Sequence, residues 1–249
     1  MKMALVRLHT SEFWKQPIIS KHMAKQQSLH EAPKYQKWHT HLEQNQIKIN
    51  NIEELYIERT SKDNQILYAL LRVDADTPEK TKLNPICFIK GDAVSMLVVL
   101  IDQETNEKYV LLIRQRRLCD GSYTYEHPAG MIDQDDPSPI EVAVRELKEE
   151  TQLDVELAEL KPLFTKPLYS ATSTSDEALY FFYVERRMPL QDIEALHGRS
   201  TGEESENEHT RLHIANMAEA HQLVVNLHGV LAHLLYLKEV GDYETMKLL

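Results

Sequence analysis

The segment Glu126–Leu153, EHPAGMIDQDDPSPIEVAVRELKEETQL, constrains the chain more than any other stretch. Ile140, Val144 and Leu147 recur at helical spacing, so one stripe must be buried against another layer. Ser138 before Pro139 supplies an N-cap and a first-turn proline, and the spacing predicts a helix over 139–151. Glu141, Arg145, Glu146, Glu149 and Glu150 crowd the same short stretch. Glu146 and Glu150 stand one turn apart, a like-charged pair that costs roughly 0.2–0.5 kcal/mol unless a cation compensates. Arg145 and Glu149 form an i, i+4 pair of opposite sign, in which the guanidinium can fix the carboxylate by a bidentate hydrogen bond. Hard oxygens in this pattern suit Mg²⁺ or Mn²⁺, which take a few carboxylates together with substrate phosphates. A carbonyl of the Pro128-Ala129-Gly130 turn would add an oxygen without adding charge. A solvated acidic face is the plainer alternative; the turn and the acidic loop ahead of the helix weigh against it.

A helix with one apolar stripe needs a partner layer, and the flanking sequence supplies strands. IEELYIERT and QILYALLRV read as a hairpin across SKDNQ. After a Pro- and Lys-rich break at 77–85, PICFIKGDAVSMLVVLID reads as one long strand or two bent at Gly91. EKYVLLIRQRR is its antiparallel partner, and strands return at 179–187 and 210–217 around a polar loop with four glutamates. PKYQKWHTHLEQN reads as a short helix. From about Ala218 to Glu239 the pattern predicts one amphipathic helix, with Leu223, Leu227, Val230, Leu231, Leu234 and Leu235 on its buried side. The whole predicts an α/β (α+β) fold: a helix–sheet–helix sandwich with an additional N-terminal antiparallel sheet. The expected partition is an N-terminal extension at 1–46, an N-terminal sheet at 47–88 and a main domain at 89–249.

Charge narrows the partners. A net charge of -11 over 249 residues argues against a nucleic-acid or anionic-membrane surface. Cys87 and Cys119 suggest neither a disulfide framework nor a zinc site. No run of 18 apolar residues and no signal-peptide core occurs, so a soluble cytoplasmic protein is expected. His39 and His41 mimic a metal pair but lack a third ligand, and His228 and His233 are expected as partly buried packing.

Gly130 followed by Arg145-Glu146-Leu147-x-Glu149-Glu150 resembles the Nudix box. The intervening loop is one residue longer than the common box. Gln152 stands where a glycine usually ends the helix in a left-handed conformation, which costs a non-glycine roughly 1–2 kcal/mol. QRRLCDGSYTYEHPAGMID resembles the ADP-sugar diphosphatase branch of that family, whose plant-type members share the longer loop. The resemblance implies Mg²⁺ (or Mn²⁺) held by Glu146, Glu149, Glu150 and the Ala129 carbonyl. It implies Arg117 on substrate phosphate or sugar, Glu126 lining the pocket, and Glu177 on the substrate side in the loop SATSTSDEALYFFYV. In ESENEHTRLHIANM it gives Glu208 the role of general base, with Glu206 second. The implied reaction splits a nucleoside-diphosphate sugar, ADP-sugars preferred, into a nucleoside monophosphate and a sugar 1-phosphate, in a homodimer joined through N-terminal sheets. A UDP-sugar preference and a catalytically silent ligand-sensing or interaction domain are the alternatives.

Overall fold

The computed structural model describes residues 26–133, 136–201 and 210–249. After a single 3-10 turn at Leu29–Glu31, helix α1 (Pro33–Gln44) opens on a first-turn proline. Strands β1 (Lys48–Arg59) and β2 (Ile66–Asp76) form the expected hairpin, and β3 (Ile86–Ile89) adds to β2, giving a sheet of order β1-β2-β3. The chain then turns at Gly91, whose φ of 86° is open to glycine and costly for other residues. It enters β4 (Ala93–Asp102) in a different sheet. The long apolar run is therefore two strands, and the glycine marks the passage between sheets.

Every residue of β4 is buried, which fits a strand covered on both faces. It pairs antiparallel with β5 (Lys108–Arg116) and parallel with β10 (Ala178–Met188). Strand β6 (Tyr123–Glu126) folds back on β5, and β7 (Ala129–Met131) pairs with β4. Short strands β8 (Lys161–Pro162) and β9 (Leu168–Tyr169) pair with β10. On the other side β12 (Thr210–Asn216) joins β5 and carries β11 (Ser200–Thr201) at its edge. Alternation along β4 divides the core. Val94, Met96, Val98 and Leu100 pack under α2 (Pro139–Thr151) and α3 (Leu190–Leu196) with Val142, Leu147 and Ile193. Leu97, Val99 and Ile101 pack under α4 (Met217–Leu223) and α5 (Leu227–Glu239) with Met217, Ala220 and Leu237. A last helix, α6 (Tyr243–Leu248), follows. The helix–sheet–helix sandwich and the separate N-terminal sheet are both present.

The tail corrects one expectation. The single helix over 218–239 is two, because Val224 bridges Tyr125 and Asn226 caps α5 by accepting from Gly229 N at 2.8 Å. Leu227, placed on the buried side by the apolar spacing, is 84% exposed. The buried face of α5 is Gly229, Ala232, His233, Tyr236 and Leu237, a rotation away from the leucine stripe.

The N-terminal sheet is tied to the sandwich through polar contacts as well as its own apolar cluster of Leu29, Tyr35, Ile66, Leu71 and Ile89. Lys34 Nζ donates to the carbonyls of Leu67 at 2.8 Å and Lys90 at 3.2 Å, and Lys37 pairs with Asp92. Between α1, β3 and the 169–176 loop lies a cavity of about 500 Å³ lined in part by Trp38, Leu42, Ile86 and Tyr169.

Candidate metal and phosphate centre

Helix α2 begins and ends as its sequence predicts. Ser138 Oγ accepts from Glu141 N at 3.4 Å and donates to Glu141 Oε2 at 2.5 Å. At the far end Gln152 adopts φ 61°, and its N–H reaches the Lys148 carbonyl at 2.9 Å. Burial of Val142, Ala143 and Leu147 under the sheet turns the acidic residues toward β7.

Glu146 lies directly over Gly130. A Cβ at position 130 would stand 2.0 Å from Glu146 Cδ and 2.4 Å from its Oε1, so only glycine lets the carboxylate pass this close to the backbone. One residue earlier, Met96 N donates to Pro128 O at 2.9 Å, making Ser95 and Ala129 a non-hydrogen-bonded pair of the β4–β7 ladder. Both polar backbone groups of Ala129 therefore point away from β4. Its N–H meets Glu150 Oε2 at 2.9 Å, and its carbonyl shares that direction. Two carboxylates and one carbonyl thus meet at the turn.

Arg145 holds a different acid from the one expected. Its guanidinium pairs with Asp136 through both terminal nitrogens and reaches Glu146 Oε1 at 3.2 Å, while Glu149 is exposed. Asp136 is the better partner because it is already fixed: its side chain is 8% exposed and accepts from Asp133 N at 2.7 Å. A loop residue nine positions away carries no helical periodicity, so no spacing rule could have paired it with Arg145.

A second group of charges gathers at the end of β6. Arg117 Nε and Nη2 donate to Glu126 at 3.0 and 2.8 Å, a bidentate fork, and Thr124 Oγ1 adds a bond at 2.6 Å. Burial alone would raise the Glu126 carboxyl; Arg117 and Thr124 outweigh it and hold the group below its ordinary value. Glu177 shows the same balance, with burial opposed by the Lys90 ammonium and by Ser170 Oγ at 2.6 Å. Its neighbour Asp176 caps the turn into β4, accepting from the amides of Lys90 at 2.7 Å and Gly91 at 3.1 Å.

His228, at the start of α5, lies within the field of both acids. It lies in the electrostatic reach of Glu126, Glu177, Lys90 and Arg117, and burial keeps its imidazole below the usual value. Lys90 and His228 are functional candidates that sequence reasoning did not single out. His228 was read as packing, and only the return of α5 over β6 brings it to the acids. His233, one turn deeper, is fully buried in a line of imidazoles: His127 Nε2 at 3.0 Å on one side and His221 Nδ1 at 3.3 Å on the other. Glu206 and Glu208 lie outside the described residues.

Among the described residues no three acidic, histidine or cysteine side chains converge as a preformed metal cage. Glu146 and Glu150 turn instead to Arg145 and to the Ala129 amide. The donor set nevertheless fits a hard divalent cation, because it consists of carboxylates with a carbonyl, and the bare Gly130 leaves Glu146 its place.

The chain is 30% identical over 142 residues to "Nudix hydrolase 14, chloroplastic" of Arabidopsis thaliana, covering 53% of this chain and 45% of that protein. It is 42% identical over 86 residues to "ADP-sugar pyrophosphatase" of Mus musculus, covering 34% of this chain and 38% of that protein. The chain thus spans less than half the length of these curated relatives. The crystal structure of an ADP compounds hydrolase superposes with a TM-score of 0.56 at 21% identity, over 78% of this chain and 96% of that one, and shares the fold. The NUDIX domain family matches residues 91–232, the span that carries the Gly130 turn, α2 and the Arg117–Glu126 fork, and the chain belongs to that family.

Proposed function

We propose that the chain hydrolyses the diphosphate bond of nucleoside-diphosphate sugars, ADP-sugars preferred, releasing a nucleoside monophosphate and a sugar 1-phosphate. The observation that carries this reading is the approach of Glu146 over Gly130 beside the Glu150–Ala129 contact. Glu146, Glu149, Glu150 and the Ala129 carbonyl would hold Mg²⁺ or Mn²⁺. Bound there, the divalent ion supplies charge neutralisation for the diphosphate and lowers the pKa of an attacking water.

The chain's own residues do the rest. Arg145, fixed by Asp136, orients Glu146 and restrains the helix face. Arg117 is presented by Glu126 with its charge largely balanced, so that it recognises phosphate or sugar oxygens without collapsing onto the metal ligands. Lys90, held by Glu177, and His228 stand in the electrostatic company of Glu126 and Arg117. Glu208, with Glu206 second, takes the proton of the water. Pairing of the N-terminal sheets of two chains makes the homodimer. The free thiols of Cys87 and Cys119 fit a reducing compartment such as the cytoplasm, although one relative's name places it in the chloroplast.

The names of the relatives favour ADP-linked substrates over UDP-linked ones. The test is product release from ADP-ribose, ADP-glucose, UDP-glucose and GDP-mannose with Mg²⁺, with Mn²⁺ and with chelator, for wild type and Glu150→Gln. Expected is metal-dependent turnover led by the ADP-sugars. Glu150→Gln should lose at least the ~10–100-fold that removal of a supporting group costs. Turnover led by UDP-glucose would overturn the base preference, and silence of folded protein across the panel would leave the ligand-sensing alternative.

A further inference from the structure

Behind the catalytic face, on the side of the sheet that α4 covers, cations accumulate in a way the hydrolase reading does not use. Residues directly opposite in an antiparallel ladder share a face and stand about 5 Å apart at Cβ. Arg114 of β5 is opposite Arg211 of β12 on one side and Tyr125 of β6 on the other. Arg116, two residues on and therefore on the same face, is opposite Tyr123. The guanidinium carbons of Arg114 and Arg116 lie 3.9 and 4.1 Å from the centre of the Tyr123 ring. His213, opposite Leu112, continues the face, and its ring meets that of Tyr125 at 4.8 Å.

Like charges directly opposite each other in a sheet destabilise it. In a chain of net charge -11, with 39 acidic residues to draw on, such a pair would be expected to find a carboxylate. Among the described residues none forms an ion pair with Arg114, Arg116 or Arg211. The carboxylate facing His213 is Glu219 of α4. Two nitrogens on this face, Arg114 Nε and His213 Nε2, are buried with no hydrogen-bond partner, a state that buried polar groups rarely keep. Tyr123 screens part of the repulsion between Arg114 and Arg116, but a ring supplies no hydrogen-bond acceptor in the plane of a guanidinium.

We propose that Arg114, Arg116, Arg211 and His213 form a second anion-binding site, on the reverse face of the sheet, for a phosphate-bearing small molecule. A tetrahedral phosphate offers several acceptor oxygens, enough to reach opposed guanidinium groups and an imidazole N–H at once. The site lies on the opposite face from Glu126 and α2 and stands whether or not the chain is a hydrolase, because it shares no residue with the metal centre.

The experiment uses the full chain with chelator present, so that the metal centre is silent. Inorganic phosphate, pyrophosphate and adenosine monophosphate are each titrated by calorimetry and by thermal unfolding, against chloride at matched ionic strength. Wild type, Glu150→Gln, Arg211→Gln and Arg211→Lys are compared. Expected is saturable binding with a rise in Tm in wild type and in Glu150→Gln, weakened at least tenfold in Arg211→Gln and partly kept in Arg211→Lys. Without anion, Arg211→Gln should be at least as stable as wild type, because an exposed like charge has been removed from opposite Arg114. A response to pyrophosphate and phosphate alike would assign the site to the free anion, and a response to the nucleotide alone to its phosphate-bearing ester. Binding unchanged in Arg211→Gln, or no saturable binding of any of the three beyond chloride, overturns the proposal.

Discussion

Gly130 shows how a single residue type can serve function at little cost to folding. Its missing Cβ leaves room for the end of Glu146, a flexible side chain that can move aside. Gly130→Ala should therefore fold with stability within about 1 kcal/mol of wild type. It should also displace Glu146, with divalent-metal affinity reduced by ~10-fold or more. Urea unfolding and metal titration of the same sample separate the two effects, and unimpaired metal affinity would show that Glu146 is not a ligand. Asp136→Asn tests the other support. With the fork to Arg145 weakened, turnover on the preferred substrate should fall ~10–100-fold without loss of fold. At this scale the sequence was informative about residue type and poor about partners. The carboxylates of α2 were legible because their i, i+4 spacing is a property of the helix itself. Asp136, Lys90 and His228 were not, since each reaches the centre from a loop or a distant element.

The elements follow the same division between local and non-local information. The start of α2 was readable because a Ser-Pro pair is a local signal, while the left-handed end at Gln152 was expected from the resemblance, which places a glycine there. Gln152→Gly removes that left-handed strain at the cost of a more flexible unfolded chain, and should stabilise by about 0.5–1 kcal/mol. Chemical denaturation reads this directly. A loss of stability would mean that the Gln152 side chain makes a compensating contact. The break between α4 and α5 was missed because an apolar stripe runs on across it, while the bridge of Val224 to Tyr125 is made with a strand about a hundred residues earlier. A stripe records which residues are apolar. It does not record whether the backbone beneath them stays helical.

For the whole molecule, the buried imidazoles set how stability answers to acid. Burial, with a smaller contribution from His221, pushes His233 down from 6.5 to about 4, and burial with the neighbouring histidines also holds His127 well below its ordinary value. Between these values the unfolded chain takes up protons that the folded chain refuses, so stability is full above about pH 6.5 and is lost as pH falls toward 4. His233 alone accounts for roughly 3 kcal/mol of that loss. Urea midpoints at pH 7.5 and 5 should differ clearly in wild type and less in His233→Leu. Equal slopes would sink this account. The sandwich itself was legible from alternation and from the long apolar run of β4, but the parallel pairing of β4 with β10 was not, because no local signal names a partner so far along the chain.

That pairing also bears on how the protein is made. A ribosome releases β4 long before β10, and at ~5–20 residues per second the interval is on the order of ten seconds. In the meantime the edge of β4 that β10 will cover stays unpaired, while β5 and then β7 pair with the strand elsewhere. Yield of active protein should therefore depend on elongation speed and on chaperone supply between these two strands, and slowing translation just before β4 should do less than slowing it just after.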